Sequence, residues 1–278
     1  MPHGQYRARR ATTVTAVFDL DAYLRRIGLR GHPALADVHR AQATSIPFEG
    51  LGPFVGEAVS LDPERLIEKL VGRRRGGYCF EQNLLLKAAL EALGLEVETY
   101  LARVMIGQRP GEVRGRTHLL LRVGEGGRDW HADVGFGSGT LLEPLPWAPG
   151  EEHEQAGWRF RVIEREPEWI LQTSEEGEWI DLYGFLPEPA AAIDVEMSNW
   201  WTATSPKSRF VSGFLVSRQW RDGRRLILSD WGELSLLERT PDASRTTPVE
   251  RAEVPALLAD RFELDGFVAG PDGRLALG

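Results

Sequence analysis

Arg73-Arg74-Arg75-Gly76-Gly77-Tyr78-Cys79-Phe80-Glu81-Gln82-Asn83 contains the single cysteine of a 278-residue sequence, and its reading organises the rest. Gly76 and Gly77 can take backbone angles that other residues avoid, and from Cys79 to Leu93 apolar residues (Leu85, Leu86, Ala89, Leu90, Leu93) recur at helical spacing. The spacing predicts a helix that begins at Cys79. Unpaired amides and the helix dipole at such an end favour a thiolate, the nucleophilic form of cysteine. Arg73, Arg74 and Arg75 add positive charge nearby, and Glu81 opposes it unless turned away or paired. A lone cysteine is more often a small buried apolar residue, so this stretch by itself leaves a structural role open.

Working back towards the start, Val17–Gly28, Pro33–Thr44 and Pro63–Val71 have helical periodicity, with Asp62 placed to cap the last. Pro47 disfavours helix at Ile46, so Ser45–Leu51 reads as loop or extended chain. Residues Met1–Arg10 are basic, lack a following apolar run and read as a loose arm. Beyond Gly94 the texture changes to short strand-like runs at Val97–Ile106, Thr117–Val123, Arg128–Val134, Trp158–Ile163, Trp169–Gln172 and Trp179–Tyr183. Further strands at Phe210–Ser217 and Arg224–Ser229 and a helix at Val254–Phe262 make the final third mixed. Three parts are expected: a helical bundle over 1–94, an antiparallel sheet or barrel over 95–205, and a mixed part over 206–278.

Thirty-three basic against 41 acidic residues give a net charge of −8, which argues against nucleic-acid binding and a basic membrane surface. No run of eighteen apolar residues occurs. One cysteine forms no internal disulfide and no metal-binding pair, which points to a reducing cytoplasm. Oligomeric state is not legible.

A cysteine nucleophile needs a base, and the base needs an orienting group. Of six histidines, His3 lies in the arm, His32 and His39 in the helical region and His153 in a Glu-rich stretch, leaving His118 and His131 on adjacent strands. The intervening Gly124-Glu125-Gly126-Gly127 suits a hairpin. With Gly124 opposite Gly127, His118 faces Asp133, Leu120 faces His131 and Arg122 faces Asp129. The alternate face, largely apolar, carries Thr117, Leu119, Leu121 and Val123 against Val134, Ala132, Trp130 and Arg128. Opposed Cβ atoms lie about 5 Å apart, close enough for a carboxylate to accept from an imidazole, although a one-residue slip would separate the pair. An ion pair without chemistry is the plainer alternative. His118, His131 and Asp133 could ligate a metal, but strand spacing does not focus all three on one point, so none is expected. Val134-Gly135-Phe136-Gly137-Ser138-Gly139, which follows, permits close approach of a ligand but matches no phosphate-loop or dinucleotide pattern.

Arg75–Asn83, Thr117-His118 and Asp133–Gly137 together resemble the signature of the arylamine N-acetyltransferases. Ile46-Pro47-Phe48-Glu49 and Asn199–Phe210 agree with it, so the resemblance spans nearly the whole chain. It implies an α+β fold: an N-terminal helical bundle, a central antiparallel β-barrel and a C-terminal α/β lid around a cysteine-proteinase-like core. It also implies a catalytic triad of Cys79, His118 and Asp133 that passes an acetyl group from acetyl-CoA through acetyl-cysteine to an aromatic amine or hydrazine. Phe48, Phe136 and Phe210 would meet the acceptor, and Gly135, Phe136 and Gly137 the coenzyme. Gly50 and Ser205 depart from the family's usual Asn and His, which bears on loop shape and acceptor preference. Three alternatives stand: an amide synthase acting on a carrier-bound aryl-amine polyketide, a papain- or transglutaminase-like hydrolase, and a binding module with a structural cysteine.

Overall fold

The computed structural model describes residues 18–270 and 274–278; the expected arm, with His3, and the first residue of the expected first helix, Val17, lie outside the described residues. Helix α1 (Leu20–Arg26) starts where the Asp19 carboxylate accepts from the Ala22 amide at 2.9 Å. Helix α2 (Leu35–Ser45) ends two residues before Pro47, and β1 (Phe48–Glu49) and α3 (Leu51–Phe54) follow. The expected helix from Pro63 is α4 (Pro63–Leu66), capped by Asp62, which then widens into a π-helical turn over Ile67–Gly72. That wide turn sends Lys69 inward to Glu81, 2.7 Å away. Glu81 is thus paired, and it also accepts from the Tyr78 amide at the head of α5 (Cys79–Ala92). Arg75 is buried against Glu49 and stacks on Phe267. Two opposite-charge pairs therefore brace the turn that leads into Cys79.

The second part is built from β2 (Glu96–Val104), β3 (His118–Glu125), β4 (Arg128–Ala132), β5 (Leu145–Pro146), β6 (Glu152–Gln155), β7 (Trp158–Arg165), β8 (Glu168–Glu175) and β9 (Glu178–Phe185). They form one antiparallel sheet in the order β5-β4-β3-β2-β9-β8-β7-β6. Strands from opposite ends of that order share a core: Leu145 of β5 packs in one cluster with Trp158 and Phe160 of β7 and with Tyr100, Leu171 and Tyr183. The sheet is therefore rolled into a nearly closed barrel. Its outer face at Leu121, Val123 and Ala132 packs on α1, α2 and α5, so the stretch Leu119–Leu121 of β3 is buried on both sides and apolar without alternation.

The hairpin register differs from the expected one. Gly124 pairs with Asp129, Arg122 with His131 and Leu121 with Ala132. The loop is Gly126-Gly127, at φ of 63° and 73°. A two-residue turn of this kind needs positive φ at both central residues, which the glycine pair supplies and Glu125 would not. The displacement is two residues, so the parity of the faces is unchanged.

After α6 (Ala192–Thr204), the expected strand from Phe210 is instead a helical turn, α7 (Arg209–Ser212), whose start is capped by the Ser208 hydroxyl. Then come β10 (Leu215–Gln219), β11 (Arg225–Ser229), β12 (Ser235–Thr240), β13 (Ala243–Pro248), α8 (Val254–Phe262) and a small hairpin of β14 (Phe267–Ala269) and β15 (Leu275–Leu277). The second large sheet runs β1-β10-β11-β12-β13, with α8 and Phe267 packed on the face bearing Val216, Leu226 and Leu228. Cys79 lies where the parts meet, among Phe48, Tyr78, Leu119, Val195, Leu215 and Ile227.

Candidate active site

Cys79 is the first residue of α5 and is 4% exposed. Asn83 stands one turn later on the same helix. Its amide nitrogen donates to the Leu119 carbonyl at 2.6 Å and to Asp133 Oδ1 at 2.9 Å, and its oxygen accepts from the Val134 amide at 3.0 Å. One side chain therefore ties the helix that carries the thiol to β3 and to the chain after β4. Close approach completes the join: a Cβ at Gly135 would sit 2.8 Å from Cys79 Cα and 2.9 Å from Asn83 Nδ2. Gly135→Ala is expected to cost about 1–3 kcal/mol of stability by overpacking, and an unchanged denaturant midpoint would contradict this contact.

His118 and Asp133 come together as expected, with Nε2 and Oδ2 2.7 Å apart and both residues buried. The route is a diagonal across the sheet rather than a directly opposed pair. Nε2 is committed to Asp133, which leaves Nδ1 for the thiol, and Cys79 and His118 line the same cavity. Burial alone would disfavour the imidazolium, but the Asp133 charge and hydrogen bond outweigh it and raise the His118 pKa. Burial likewise opposes the Asp133 carboxylate, and the His118 charge together with bonds from His118, Asn83 and Gly135 holds its pKa below the ordinary value.

Asp133 is held by more than its histidine. Tyr183 donates its hydroxyl to Oδ2 at 2.8 Å, and the Gly135 amide donates to Oδ1 at 2.9 Å. His39 Nε2 accepts from the Asp133 amide at 3.1 Å while Nδ1 donates to the Leu142 carbonyl, so this ring is the neutral Nδ1–H tautomer. His131 Nε2 donates to the Tyr183 oxygen at 2.8 Å. His39, Asn83 and Tyr183 are the site residues that sequence reasoning missed. Asn83 carries a readable signal, four residues after the cysteine on one helix face; the other two have none.

Burial is the main cause that lowers both His39 and His131 to about 4. An unfolded histidine titrates near 6.5. Between those values the unfolded chain takes up protons that the folded chain refuses, so stability is full above pH 6.5 and falls as pH drops towards 4. The His118–Asp133 pair does not offset this, because its contribution is already complete below pH 6.5. Thermal melts are expected to shift downward from pH 7 to pH 5, by on the order of 2 kcal/mol per histidine; a flat profile would contradict it.

The thiol and imidazole open on a cavity of about 590 Å³. Phe48, Phe136 and Phe210 all line it, with the Phe136 ring edge-on to His118 at 5.0 Å and Phe210 6.2 Å from Phe48. Gly135 and Gly137 also contribute to its wall. Among the described residues, no group of three or more His, Cys, Asp or Glu side chains has the arrangement of a metal site.

A family profile described as N-acetyltransferase matches residues 33–266. Arylamine N-acetyltransferase of Mycolicibacterium smegmatis is 36% identical, over 91% of this chain and 95% of its own. The chain belongs to the arylamine N-acetyltransferase family. Membership makes it an acyltransferase. The Mycobacterium marinum arylamine N-acetyltransferase, solved in complex with CoA, superimposes with a TM-score of 0.83 at 32% identity, covering 88% of this chain and 93% of that one. A Salmonella typhimurium relative named arylamine N-acetyltransferase / N-hydroxyarylamine O-acetyltransferase is 36% identical over 76% of this chain and 77% of its own. Gly50, where arylamine N-acetyltransferases commonly carry Asn, is occupied from outside: a Cβ there would lie 2.5 Å from the Phe210 ring. Phe210 fills the space a side chain would take.

Proposed function

We propose that the protein transfers an acetyl group from acetyl-CoA to the nitrogen of an aromatic amine or arylhydrazine, with Cys79 as nucleophile, His118 as base and Asp133 as the group that orients it. The observation that carries this reading is the buried His118–Asp133 pair whose imidazole shares an aromatic-lined cavity with the Cys79 thiol. His118 Nδ1 takes the thiol proton, Cys79 Sγ adds to the thioester carbonyl, and the C–S bond to coenzyme A breaks as His118 returns the proton to the departing thiolate. Acetyl-Cys79 remains. The amine then adds to that carbonyl, gives its proton to His118, and the amide leaves as Sγ is released. Thioester for thioester is nearly balanced in free energy, and amide formation drives the second half.

In this reading Phe48, Phe136 and Phe210 pack on the acceptor ring, and Gly135, Phe136 and Gly137 admit the donor's thioester arm. The division at 1–94, 95–205 and 206–278 assigns the thiol, the base with its carboxylate, and the closing wall to successive parts. A thiol nucleophile suits the reducing cytoplasm.

Intact-protein mass spectrometry tests both halves. Acetyl-CoA without acceptor is expected to add one acetyl group, and aniline is then expected to remove it as acetanilide. Turnover without a detectable acetyl-protein would overturn the covalent route, and a stable acetyl-protein that ignores aniline would overturn the acceptor class.

A further inference from the structure

Helix α6 is amphipathic the wrong way round. Its buried residues are Val195, Asn199 and Thr202, two of them polar, while its outward face carries Ile193, Met197, Trp200 and Trp201 at 59%, 63%, 66% and 40% exposure. A surface helix normally turns its apolar stripe inward. These four positions keep the i, i+4, i+7, i+8 spacing of a packing face, and they are half of the eight large apolar side chains that stand exposed among the described residues. Ile106 and Val113, which line the same cavity as Trp201, are two more. The helix cannot roll to hide them. The Tyr78 hydroxyl donates to Asn199 Oδ1 and the Ser198 hydroxyl to the Arg116 carbonyl, and turning the stripe inward would break both.

Charge along α6 is polarised as well. Glu188, Asp194 and Glu196 are exposed around its start, and Lys207 and Arg209 are exposed just beyond its end. None of the five forms an ion pair among the described residues. That order suits the helix dipole, and it also makes the face complementary to a copy of itself running the other way. Two such faces laid antiparallel bring the acidic start of each to the basic end of the other, whereas a parallel pair sets like charges together. An anionic membrane surface is a poorer match, because it attracts only the basic end.

We propose that α6 is a homodimer face, on which a second copy of the chain seats its own α6 antiparallel about a two-fold axis between Met197 and Trp200. An interface of this kind is self-complementary. Met197 meets Trp200 of the other copy, and Glu188 comes near the other copy's Lys207. With aromatic side chains contributing about 150–250 Å² each, the two stripes remove on the order of 1,000 Å² from water, the lower end of a specific interface. The dimer is therefore expected to form reversibly at micromolar concentration. Trp201 belongs both to the stripe and to the wall of the catalytic cavity, so a seated partner fixes one side of that mouth.

Sedimentation velocity across the micromolar range tests this in the full chain, and a reversible monomer–dimer equilibrium is the expected result. Trp200→Ser is expected to raise the dissociation constant about thirtyfold, the effect of losing a central aromatic anchor, with an unchanged melting temperature because the ring is mostly in water. Glu188→Lys is expected to weaken the dimer about threefold, and Lys207→Glu added to the same chain to restore it. A chain that stays monomeric throughout, a dimer that survives Trp200→Ser, or a charge reversal without rescue would overturn the proposal. So would a monomer that pellets with phosphatidylserine-containing vesicles and loses that binding in Trp200→Ser, which would assign the face to a membrane.

Discussion

Cys79→Ser is expected to abolish acetyl transfer, by at least about 10⁴-fold in single-turnover rate, while leaving the melting temperature close to that of the unaltered protein. A serine hydroxyl is a much weaker acid than a thiol, so His118 cannot generate the oxygen nucleophile at comparable cost, and an ester would be a worse acetyl donor to an amine than a thioester. The fold has no reason to suffer. The Cys79 sulfur makes one contact that a hydroxyl can imitate, to the Thr117 carbonyl at 3.6 Å, and the helix is fixed by Asn83, Gln82 and Glu81 rather than by the thiol. Rapid-quench mass spectrometry with acetyl-CoA and aniline reads the rate, and sustained acetanilide formation by this variant would remove Cys79 from the mechanism.

Asp133→Asn is expected to slow acetylation of Cys79 by about 10³–10⁴-fold, for a reason specific to this hydrogen-bond set. Each carboxylate oxygen faces two donors: Asn83 and Gly135 on Oδ1, His118 and Tyr183 on Oδ2. An Asn side chain must aim its NH₂ at one of these pairs. The Gly135 amide cannot change its role, so the cheaper arrangement turns the NH₂ towards His118 and Tyr183. His118 Nε2 must then accept, which places the ring proton on Nδ1, facing the thiol, where it blocks proton removal. Loss of the buried counter-charge adds a stability cost of about 3 kcal/mol. A near-normal acetylation rate would mean that the pair does not orient the base.

Much of this site was legible before any coordinates. Cys79 at a helix start follows from a glycine pair running into helical periodicity, and His118 with Asp133 follows from alternation along two strands. The hairpin shows why a partly wrong register still found the pair. The loop sits at Gly126-Gly127 rather than Glu125-Gly126, but a two-residue offset preserves which side chains share a face. What was not legible depends on packing between distant segments. His39 reads as one more residue of an amphipathic helix, yet its ring ends at the Asp133 amide. Phe210 looks like part of a strand, and the local Ser208 cap makes it a helical turn instead. β13 escaped notice because every residue from Ala243 to Pro248 is exposed, so it has no alternation to read.

The pairing of β1 with β10, Phe48 opposite Ser217 and Glu49 opposite Val216, has a consequence for biosynthesis. One edge of Phe48–Glu49 meets Gly77, made soon after it, but the edge that pairs with β10 stays open in the nascent chain until the last third is made. Proteolytic halves or early-terminated products would share that exposed edge, and reactivity would emerge only once synthesis had passed Ser217.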